Sequence, residues 1–227
     1  MAISSSRTAE TRFYARFGKR LLDLLGSATA ITLLSPVILF SAVLVKATSR
    51  GPVFFFQDRP GLYGRTFRII KFRSMLTFED SYDAAGNELT NDQRVTRVGA
   101  ILRRTSIDEL PQLFNVFLGH MSLVGPRPAL QYQVERYDAD QRKRMDVRPG
   151  MTGLAQVKGR NSLTWDQKIA MDLAYVRNVS LGLDVKIMAK TVNVVVSGAG
   201  IRFENHDALS AHNGDLRRHI GEKKDDE

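Results

Sequence analysis

Residues 21–45 form a long apolar run, LLDLLGSATAITLLSPVILFSAVLV, in which Asp23 is the only charged residue. A helix of about 20 apolar residues is long enough to cross the hydrocarbon core of a bilayer. Proline removes a backbone donor and clashes with the preceding helical turn. The pair Ser35-Pro36 in the middle of this run therefore predicts a helix, a break and a second helix.

Cations stand on both sides of the apolar run, and such residues favour the cytoplasmic side of a membrane. A helix that enters the membrane, bends at Ser35-Pro36 and leaves on the same face agrees with both flanks. The backbone groups freed by Pro36 then need an internal partner, such as the Ser35 hydroxyl. A plain transmembrane helix with a tolerated proline, or a buried helix, is the alternative. The flanking cations are Arg7, Arg12, Arg16, Lys19, Arg20, Lys46, Arg50, Arg59, Arg65, Arg68, Lys71 and Arg73.

The remaining pattern predicts an α+β fold that is mostly helical and associated with a membrane. Aromatic and β-branched runs around the turn signal DRPGLYG predict a β-hairpin over residues 53–73. Apolar positions Val95, Val98 and Leu102, with arginines around them, predict a basic amphipathic helix at the membrane interface or packed on the core. A short strand is predicted for Leu154–Val157. Further helices are predicted for residues 108–118, 130–138, 162–180 and 183–199, and a mobile charged tail from Arg202.

Charge and cysteine content narrow the chemistry without selecting it. The 33 Lys and Arg exceed the 24 Asp and Glu, giving a formal net charge of +9. This excess predicts an anionic partner, which nucleic acid, anionic lipid and a phosphorylated substrate would all satisfy. The sequence contains 0 cysteines, which excludes disulfides, thiolate metal sites and a cysteine nucleophile.

The stretch RRTSIDELPQLFN, residues 103–115, holds the strongest candidate chemistry. Ser106 and Glu109 match a capping box, and Pro111 fits the first turn of a helix. None of these roles requires Asp108. An ionised aspartate can attack phosphorus to form an acyl phosphate. Glu109 beside it suits Mg²⁺, which binds one or two carboxylates together with substrate phosphates.

Other polar residues are candidate substrate ligands. Arg127 stands between two prolines, and a rigidly presented guanidinium suits phosphate binding. Lys71 and Arg73 are predicted to share one strand face as a basic wall. The glycine-rich loop TGLAQVKGRN would bring backbone amides close to a nucleotide. Its candidate ligands are Gln156, Arg160 and Asn161. Trp165, Asp172 and Tyr175 are interpreted as packing residues.

In chain order, several motifs together resemble the bacterial sugar transferase family. They are KRLLDLL and LLSPVILF, GPVFFFQDRPGLYGRTFRIIKFRSM, TRVGAILRRTSIDELPQLFNVFLGHMSLVGPRP, RPGMTGLAQVKGRN and DLAYVRNVSLGLDVKIMAKT. The ordered set covers residues 18–200 and is far more specific than any single motif. Because only a short lead precedes it, the chain resembles the small form of this family, the monotopic polyprenyl-phosphate phosphoglycosyl transferases.

The resemblance implies transfer of a sugar phosphate from a UDP-sugar to polyprenyl (undecaprenyl) phosphate, with release of UMP. It implies that Asp108 is the nucleophile, that Asp108 and Glu109 hold Mg²⁺, and that Arg127 binds substrate phosphate. Ser35-Pro36 corresponds to the family's re-entrant break. Lys158 and His120 depart from the residues common in relatives at those positions.

These expectations divide the chain into a basic lead (1–18), a re-entrant membrane helix (19–47), a catalytic domain (48–201) and a tail (202–227). The catalytic domain is expected on the cytoplasmic face of the bacterial inner membrane, with membrane lipid, UDP-sugar and polyprenyl phosphate as partners. No nucleic acid partner is expected, and homo-oligomers are compatible with the sequence. Direct transfer with Asp108 as a base is one alternative. A non-catalytic basic scaffold for anionic lipid or nucleic acid is the other.

Overall fold

The computed structural model describes residues 13–83, 86–159 and 162–197. The predicted tail, and the lead up to residue 12, lie outside this range. The fold is α+β, as predicted, and helices dominate it. A π-helical turn (Tyr14–Gly18) leads into the long helix α1 (Lys19–Thr48). The other elements are β1 (Phe54–Pro60), β2 (Thr66–Phe72), α2 (Asn91–Arg94), α3 (Arg97–Thr105), α4 (Gln112–Leu118), β3 (Ser122–Val124), α5 (Gln131–Glu135), β4 (Gly150–Thr152), α6 (Leu154–Lys158), α7 (Trp165–Arg177) and α8 (Leu181–Ser197).

Strands β1 and β2 form the predicted antiparallel hairpin, with Phe54 opposite Phe72 and Pro60 opposite Thr66. The connecting turn requires positive φ at Tyr63 (55°) and Gly64 (75°). Phe67 and Ile69 point into a core cluster with α4. At the far end of β2, Phe72 packs against α1 and α3. The hairpin therefore bridges two parts of the hydrophobic core.

The strand predicted at Leu154–Val157 is wrong, because those residues form helix α6. The strand lies earlier, in β4, and pairs in parallel with β3. A Cβ atom on Gly150 or Gly153 would collide with the backbone of Gly125. These glycines therefore let the two strands and the following turn approach closely, and the chain becomes helical only after Gly153.

Helix α1 stays helical through Pro36, so the predicted interruption of secondary structure is not observed. Pro36 cannot donate to the carbonyl of Thr32, four residues earlier, which would otherwise lose its helical hydrogen bond. The Ser35 hydroxyl donates to this Thr32 oxygen over 2.8 Å. The internal partner predicted for the freed carbonyl is therefore present.

Both ends of α1 rest on the same domain. Near its start, Asp23 accepts hydrogen bonds of 2.9 Å from the Ser122 hydroxyl and the Leu123 amide. Near its end, Ile38 and Val45 join a core cluster with β2 and α3. The opposite face exposes large apolar side chains to a degree unusual for a globular protein. They are Leu21, Leu25, Leu33, Val37, Leu39, Phe40 and Val43.

Within the described residues, α1 is the one helix long and apolar enough to span a membrane or anchor to it, with a mean hydropathy of 2.2 over its most apolar window. Only 17% of that window is buried against the protein. The helix thus combines attachment at both ends with an apolar outer face.

A buried polar cluster joins the base of α1 to α7 and α8. Asp184 is fully buried and accepts hydrogen bonds from Tyr14 (2.5 Å), Lys19 (2.6 Å) and Tyr175 (2.7 Å). Burial, with the Asp184 carboxylate beside it, raises the pKa of Tyr175 and keeps this phenol protonated. The same hydroxyl lies 3.1 Å from the Val124 carbonyl of β3. We name Tyr14, Lys19, Tyr175 and Asp184 the base cluster.

The basic amphipathic helix is present as α3, capped by the Thr96 hydroxyl, which accepts from the Gly99 amide over 2.9 Å. Of its predicted apolar stripe, Leu102 is buried and Val98 packs beside it. This stripe therefore faces the protein core, as the packing alternative predicted. Ile101 is the large apolar side chain that α3 leaves exposed.

Candidate active site

Asp108 and Glu109 lie on a tight turn between two helices. Ser106 adopts a left-handed conformation (φ 58°) that ends α3, and a single 3-10 turn, Ile107–Glu109, follows. The helix predicted from residue 108 begins only at Gln112. The predicted capping box is absent, because the Ser106 side chain makes no capping hydrogen bond. The carboxyl group of Glu109 is thereby available to other partners.

Glu109 gathers two cations from distant parts of the chain. Its Oε1 atom accepts from Lys71 Nζ (2.8 Å) and Arg127 Nη2 (2.6 Å), and its Oε2 atom from Arg127 Nη1 (3.3 Å). Burial alone would raise the pKa of Glu109, but Arg127 and Lys71 outweigh it and hold this pKa far below its usual range. Three of the predicted site residues, from β2, the dyad turn and the Pro-Arg-Pro turn, are thus brought together.

Asp108 lies beside this ion-pair cluster but outside it. Its exposure is 9%, and no described residue donates a hydrogen bond to its carboxyl group. Burial, together with the charge of Glu109, raises the pKa of Asp108 to about 6, although Lys71, Arg127 and Arg103 oppose the shift. At neutral pH the group is mostly ionised, and its oxygen lone pairs accept no hydrogen bond from residues 13–83, 86–159 or 162–197. These are the properties of a carboxylate nucleophile.

Arg73 does not join this cluster. Strand β2 ends at Phe72, and the Arg73 guanidinium turns to the end of α1. It donates to the Ser49 carbonyl (3.0 Å), the Ser49 hydroxyl (2.9 Å) and the Arg50 carbonyl. The basic wall predicted from Lys71 and Arg73 therefore has only Lys71 at the dyad. Arg73 instead closes the carbonyl end of the long helix.

The glycine-rich loop is only partly described. Gln156 lies on α6, and both atoms of its amide are buried without a hydrogen-bond partner in the described part of the chain. Arg160 and Asn161 lie outside the described residues. Lys158 is exposed at the end of α6. The exposed His120 ring lies 6.2 Å from the ring of Phe67.

The dyad offers two adjacent carboxylates to a cation. Elsewhere in residues 13–83, 86–159 and 162–197, no group of three or more histidine or acidic side chains could hold a metal. Two carboxylates fit Mg²⁺, because this ion keeps several waters and takes further oxygens from substrate phosphates. The partnerless Asp108 oxygens suit such a ligand, whereas Glu109 already carries two ion pairs.

A pocket is formed in part by the Pro126–Pro128 turn, and neither dyad carboxylate lines it. Its walls are mostly apolar, with rigid proline rings and two arginines. The lining residues are Pro60, Gly61, Pro126, Arg127, Pro128, Ala129, Val134, Tyr137, Arg144, Met145, Val147 and Pro149.

Sequence reasoning missed the buried charged residues that support the site. Arg144, in the basic run QRKRMD, resembles its solvated neighbours, yet it is buried in an ion pair with Asp172. Asp184 carried a readable signal, because it is the one acidic residue of the mostly apolar helix α8, and a buried acid needs a partner. Its partner is Lys19, which the sequence places among the cations that flank the apolar run.

Comparison with known proteins matches most of the chain to one family. Residues 14–198 match the family described as bacterial sugar transferase. A UDP-glucose:undecaprenyl-phosphate glucose-1-phosphate transferase of Caulobacter vibrioides is 46% identical over 182 residues, covering 77% of this chain and 68% of that protein.

Two further relatives differ in length. The exopolysaccharide production protein ExoY of Rhizobium meliloti is 39% identical over 207 residues, 85% of this chain and 92% of its own. A UDP-N-acetylgalactosamine-undecaprenyl-phosphate N-acetylgalactosaminephosphotransferase of Aeromonas hydrophila is 45% identical over 192 residues, 82% of this chain but only 45% of its own. With residues 14–198 matched, the chain belongs to the bacterial sugar transferase family.

Proposed function

We propose that this protein transfers a sugar-1-phosphate from a UDP-sugar to membrane polyprenyl phosphate, through a covalent phosphosugar intermediate on Asp108. The observation that carries the proposal is the ionisable Asp108 carboxyl group, to which no described residue donates, beside Lys71 and Arg127, the two cations that Glu109 holds. Relatives with 45–46% identity are named as transferases of this reaction type. The product, polyprenyl-diphosphate-sugar, would begin the assembly of a surface polysaccharide or glycoconjugate.

In the first step, an Asp108 oxygen attacks the phosphorus that bears the sugar. The P–O bond to the uridine side breaks, and UMP leaves with the bond electrons. Lys71 and Arg127 stabilise the charge on the phosphate oxygens. Glu109 holds both cations at the dyad before substrate arrives, so that phosphate oxygens can take over its ion pairs.

In the second step, an oxygen of polyprenyl phosphate attacks the same phosphorus. The acyl phosphate bond to Asp108 breaks, and the carboxylate is restored for another cycle. Splitting the transfer in two lets one small site serve two large anionic substrates in turn, and predicts ping-pong kinetics.

Mg²⁺ is the proposed metal, with Asp108 and Glu109 as its protein ligands. When bound, it would neutralise part of the diphosphate charge and weaken repulsion between a carboxylate and an anionic substrate. Gln156, with its unused amide, is the proposed further substrate contact, and Arg160 and Asn161 remain predictions of the sequence.

Incubation of the purified protein with UDP-sugar and Mg²⁺, without lipid acceptor, tests the proposal. We expect release of about one UMP per protein, together with a mass increase of one sugar phosphate on the peptide that contains Asp108. Adding polyprenyl phosphate should discharge the adduct as lipid-linked product. EDTA should suppress both steps, and added Mg²⁺ should restore them.

Direct transfer would give a different result, because UMP would then appear only when UDP-sugar and lipid are both present. The basic-scaffold alternative predicts no UMP at all, and lipid binding that is indifferent to Asp108→Ala. A panel of UDP-glucose, UDP-galactose and their N-acetylated forms, assayed for UMP release, identifies the sugar.

We further propose that α1 enters the bacterial inner membrane and returns to the cytoplasmic face, where UDP-sugars are available. Both ends of α1 are fixed to one domain, which a helix with ends on opposite sides of a bilayer could not easily satisfy. The exposed apolar face would contact lipid. The Ser35–Thr32 hydrogen bond compensates the proline where a bend would occur.

Single-cysteine labelling can test this topology without background, because the chain has 0 native cysteines. We expect Ser5→Cys, before α1, and Tyr63→Cys, at the exposed tip of the hairpin, to react from the same side in inverted membrane vesicles. Both should be protected in spheroplasts treated with an impermeant maleimide. Reaction of the two positions from opposite sides would rule out the re-entrant arrangement.

A further inference from the structure

Arg144 and Asp172 form a buried ion pair that the proposed reaction does not use. Arg144 Nη2 lies 2.5 Å from Asp172 Oδ2, and the two side chains are 7% and 3% exposed. The other terminal nitrogen of Arg144 donates to the Tyr137 hydroxyl. The guanidinium carbon also lies 5.5 Å from the centre of the Tyr137 ring and 5.9 Å from that of Trp165.

Arg144 Nη2, the nitrogen paired with Asp172, also reaches the Pro-Arg-Pro turn, where it donates to the Arg127 carbonyl over 3.3 Å. All three carbonyls of the turn have such a donor. The Gly150 amide donates to the Pro126 oxygen (2.9 Å), and Arg59 Nη1 donates to the Pro128 oxygen (3.3 Å). The turn is therefore held from behind at every residue, and the central contact depends on one buried guanidinium.

The central contact matters because of where the Arg127 side chain ends. This side chain is 50% exposed, yet its two terminal nitrogens both reach Glu109. The flanking prolines restrict φ around Arg127, but they do not fix where its backbone lies relative to the dyad. A backbone shift of about 1 Å would move the guanidinium off bidentate geometry, and such misplacement can cost about 100-fold in rate.

We propose that Arg144 is a positioning residue, which acts through the Arg127 carbonyl to place the Arg127 guanidinium at the dyad. Asp172 holds Arg144 in turn, and the rings of Tyr137 and Trp165 restrict its plane. This role rests on the proposed function, because Arg127 is there the ligand of the diphosphate. The proposal adds the buried ion pair of Arg144 and Asp172 to the features that determine substrate binding.

The ion pair itself can be removed without leaving an unpaired buried charge. Replacing both members of a buried pair by apolar residues of similar size is often neutral for stability, whereas removing one member is not. The test variant is therefore Arg144→Met/Asp172→Leu in the full chain. A matched control is Lys143→Met/Asp140→Leu, which removes the exposed neighbouring pair (2.6 Å, 58% and 53% exposed) with the same residue types.

A double-mutant cycle with Arg127→Ala separates positioning from a general structural role. In the wild-type background, we expect Arg144→Met/Asp172→Leu to lower kcat/KM for UDP-sugar about tenfold, mainly through KM, with a melting temperature close to that of the parent. In the Arg127→Ala background, the same change should lower kcat/KM less than twofold. The control pair should leave kcat/KM unchanged in both backgrounds.

An equal loss in both backgrounds would overturn the inference, as would no loss in the wild-type background. If the Arg144→Met/Asp172→Leu protein does not fold, Arg144→Lys can replace it in the double-mutant cycle. It keeps the charge opposite Asp172, but an ammonium lacks the planar fork that serves three partners at once. We expect a smaller loss, again confined to the background with Arg127 present.

The affinity for UDP, measured by calorimetry across the same cycle, does not depend on turnover. A wild-type protein that never releases UMP contradicts the proposed function. If the wild-type protein is active, but Arg144→Met/Asp172→Leu changes UDP affinity and kcat/KM equally with and without Arg127, the positioning role is contradicted. The proposed function is then unaffected.

Discussion

Asp108→Asn should abolish turnover while making the folded protein more stable. Loss of a covalent nucleophile removes the route through the intermediate, and we expect kcat to fall about 10⁴-fold or more. The asparagine amide has nearly the same shape as the carboxylate but carries no charge. Its burial therefore avoids the desolvation cost of the ionised Asp108. Residues outside the site rarely show this opposite movement of activity and stability.

The sign of the stability change follows from the pKa of Asp108, raised from 3.8 to about 6. Because the folded state holds the proton more tightly, the ionised carboxylate destabilises the fold at pH values above 6. This destabilisation is lost as the pH falls through 6 towards 3.8, below which both folded and unfolded groups are protonated. A shift of this size corresponds to about 3 kcal/mol.

Thermal unfolding in detergent or nanodiscs at pH 8 should therefore show a melting temperature roughly 6–12 °C higher for the Asp108→Asn protein. The difference should fade at pH 4. Asp140→Asn is a suitable control, because Lys143 lowers the pKa of that exposed carboxyl group and the gain should not appear. Adduct formation by the Asp108→Asn protein, or a lower melting temperature at pH 8, would contradict the assignment.

Asp184→Leu should produce the largest loss of stability in the molecule. The base cluster places three donors on one fully buried carboxylate, and the substitution would leave Lys19 charged and unpaired in the interior. Removing one member of a buried pair costs about 3–5 kcal/mol. For a chain of this size, that cost lowers the melting temperature by roughly 6–20 °C.

Lys19→Met/Asp184→Leu separates loss of the charge pair from loss of packing volume. We expect the double substitution to recover most of the melting temperature lost by Asp184→Leu, since no unpaired charge remains. The exposed pair of Asp58 and Arg68, 3.8 Å apart, is the matched control, and Asp58→Leu should change the melting temperature little. Equal losses from Asp184→Leu and the double substitution would show that burial of charge is not the cause.

The parts of this site that the sequence predicted are those set by short-range pattern and residue chemistry. Asp108, Glu109 and Arg127 could be chosen because a carboxylate pair and a proline-fixed arginine suit phosphate chemistry wherever they meet. Lys71 could be assigned to the site because strand alternation fixes its direction. Alternation failed one step later, at Arg73, because β2 had already ended.

The parts that could not be predicted depend on contacts distant in sequence or on single backbone conformations. Ser106 adopts a left-handed backbone conformation, so that a turn forms where the sequence predicted a capping box. The conformational propensity of serine does not predict this left-handed conformation. The close approach of Gly125 to Gly150 places the strand earlier in the chain than the sequence predicted. Arg144 looks like a surface residue until Asp172, 28 positions away, is placed beside it.

Attachment of α1 along the domain has a consequence for the proposed lipid substrate. A transferase on a flexible tether would sample many heights above the bilayer, and its site would meet lipid phosphates only intermittently. Here the base cluster and the α1 core contacts leave no hinge between helix and catalytic turn. If the apolar face of α1 is buried in a bilayer, the depth of α1 also fixes the distance of Asp108 from the membrane surface. We therefore expect the reaction rate to depend on bilayer thickness.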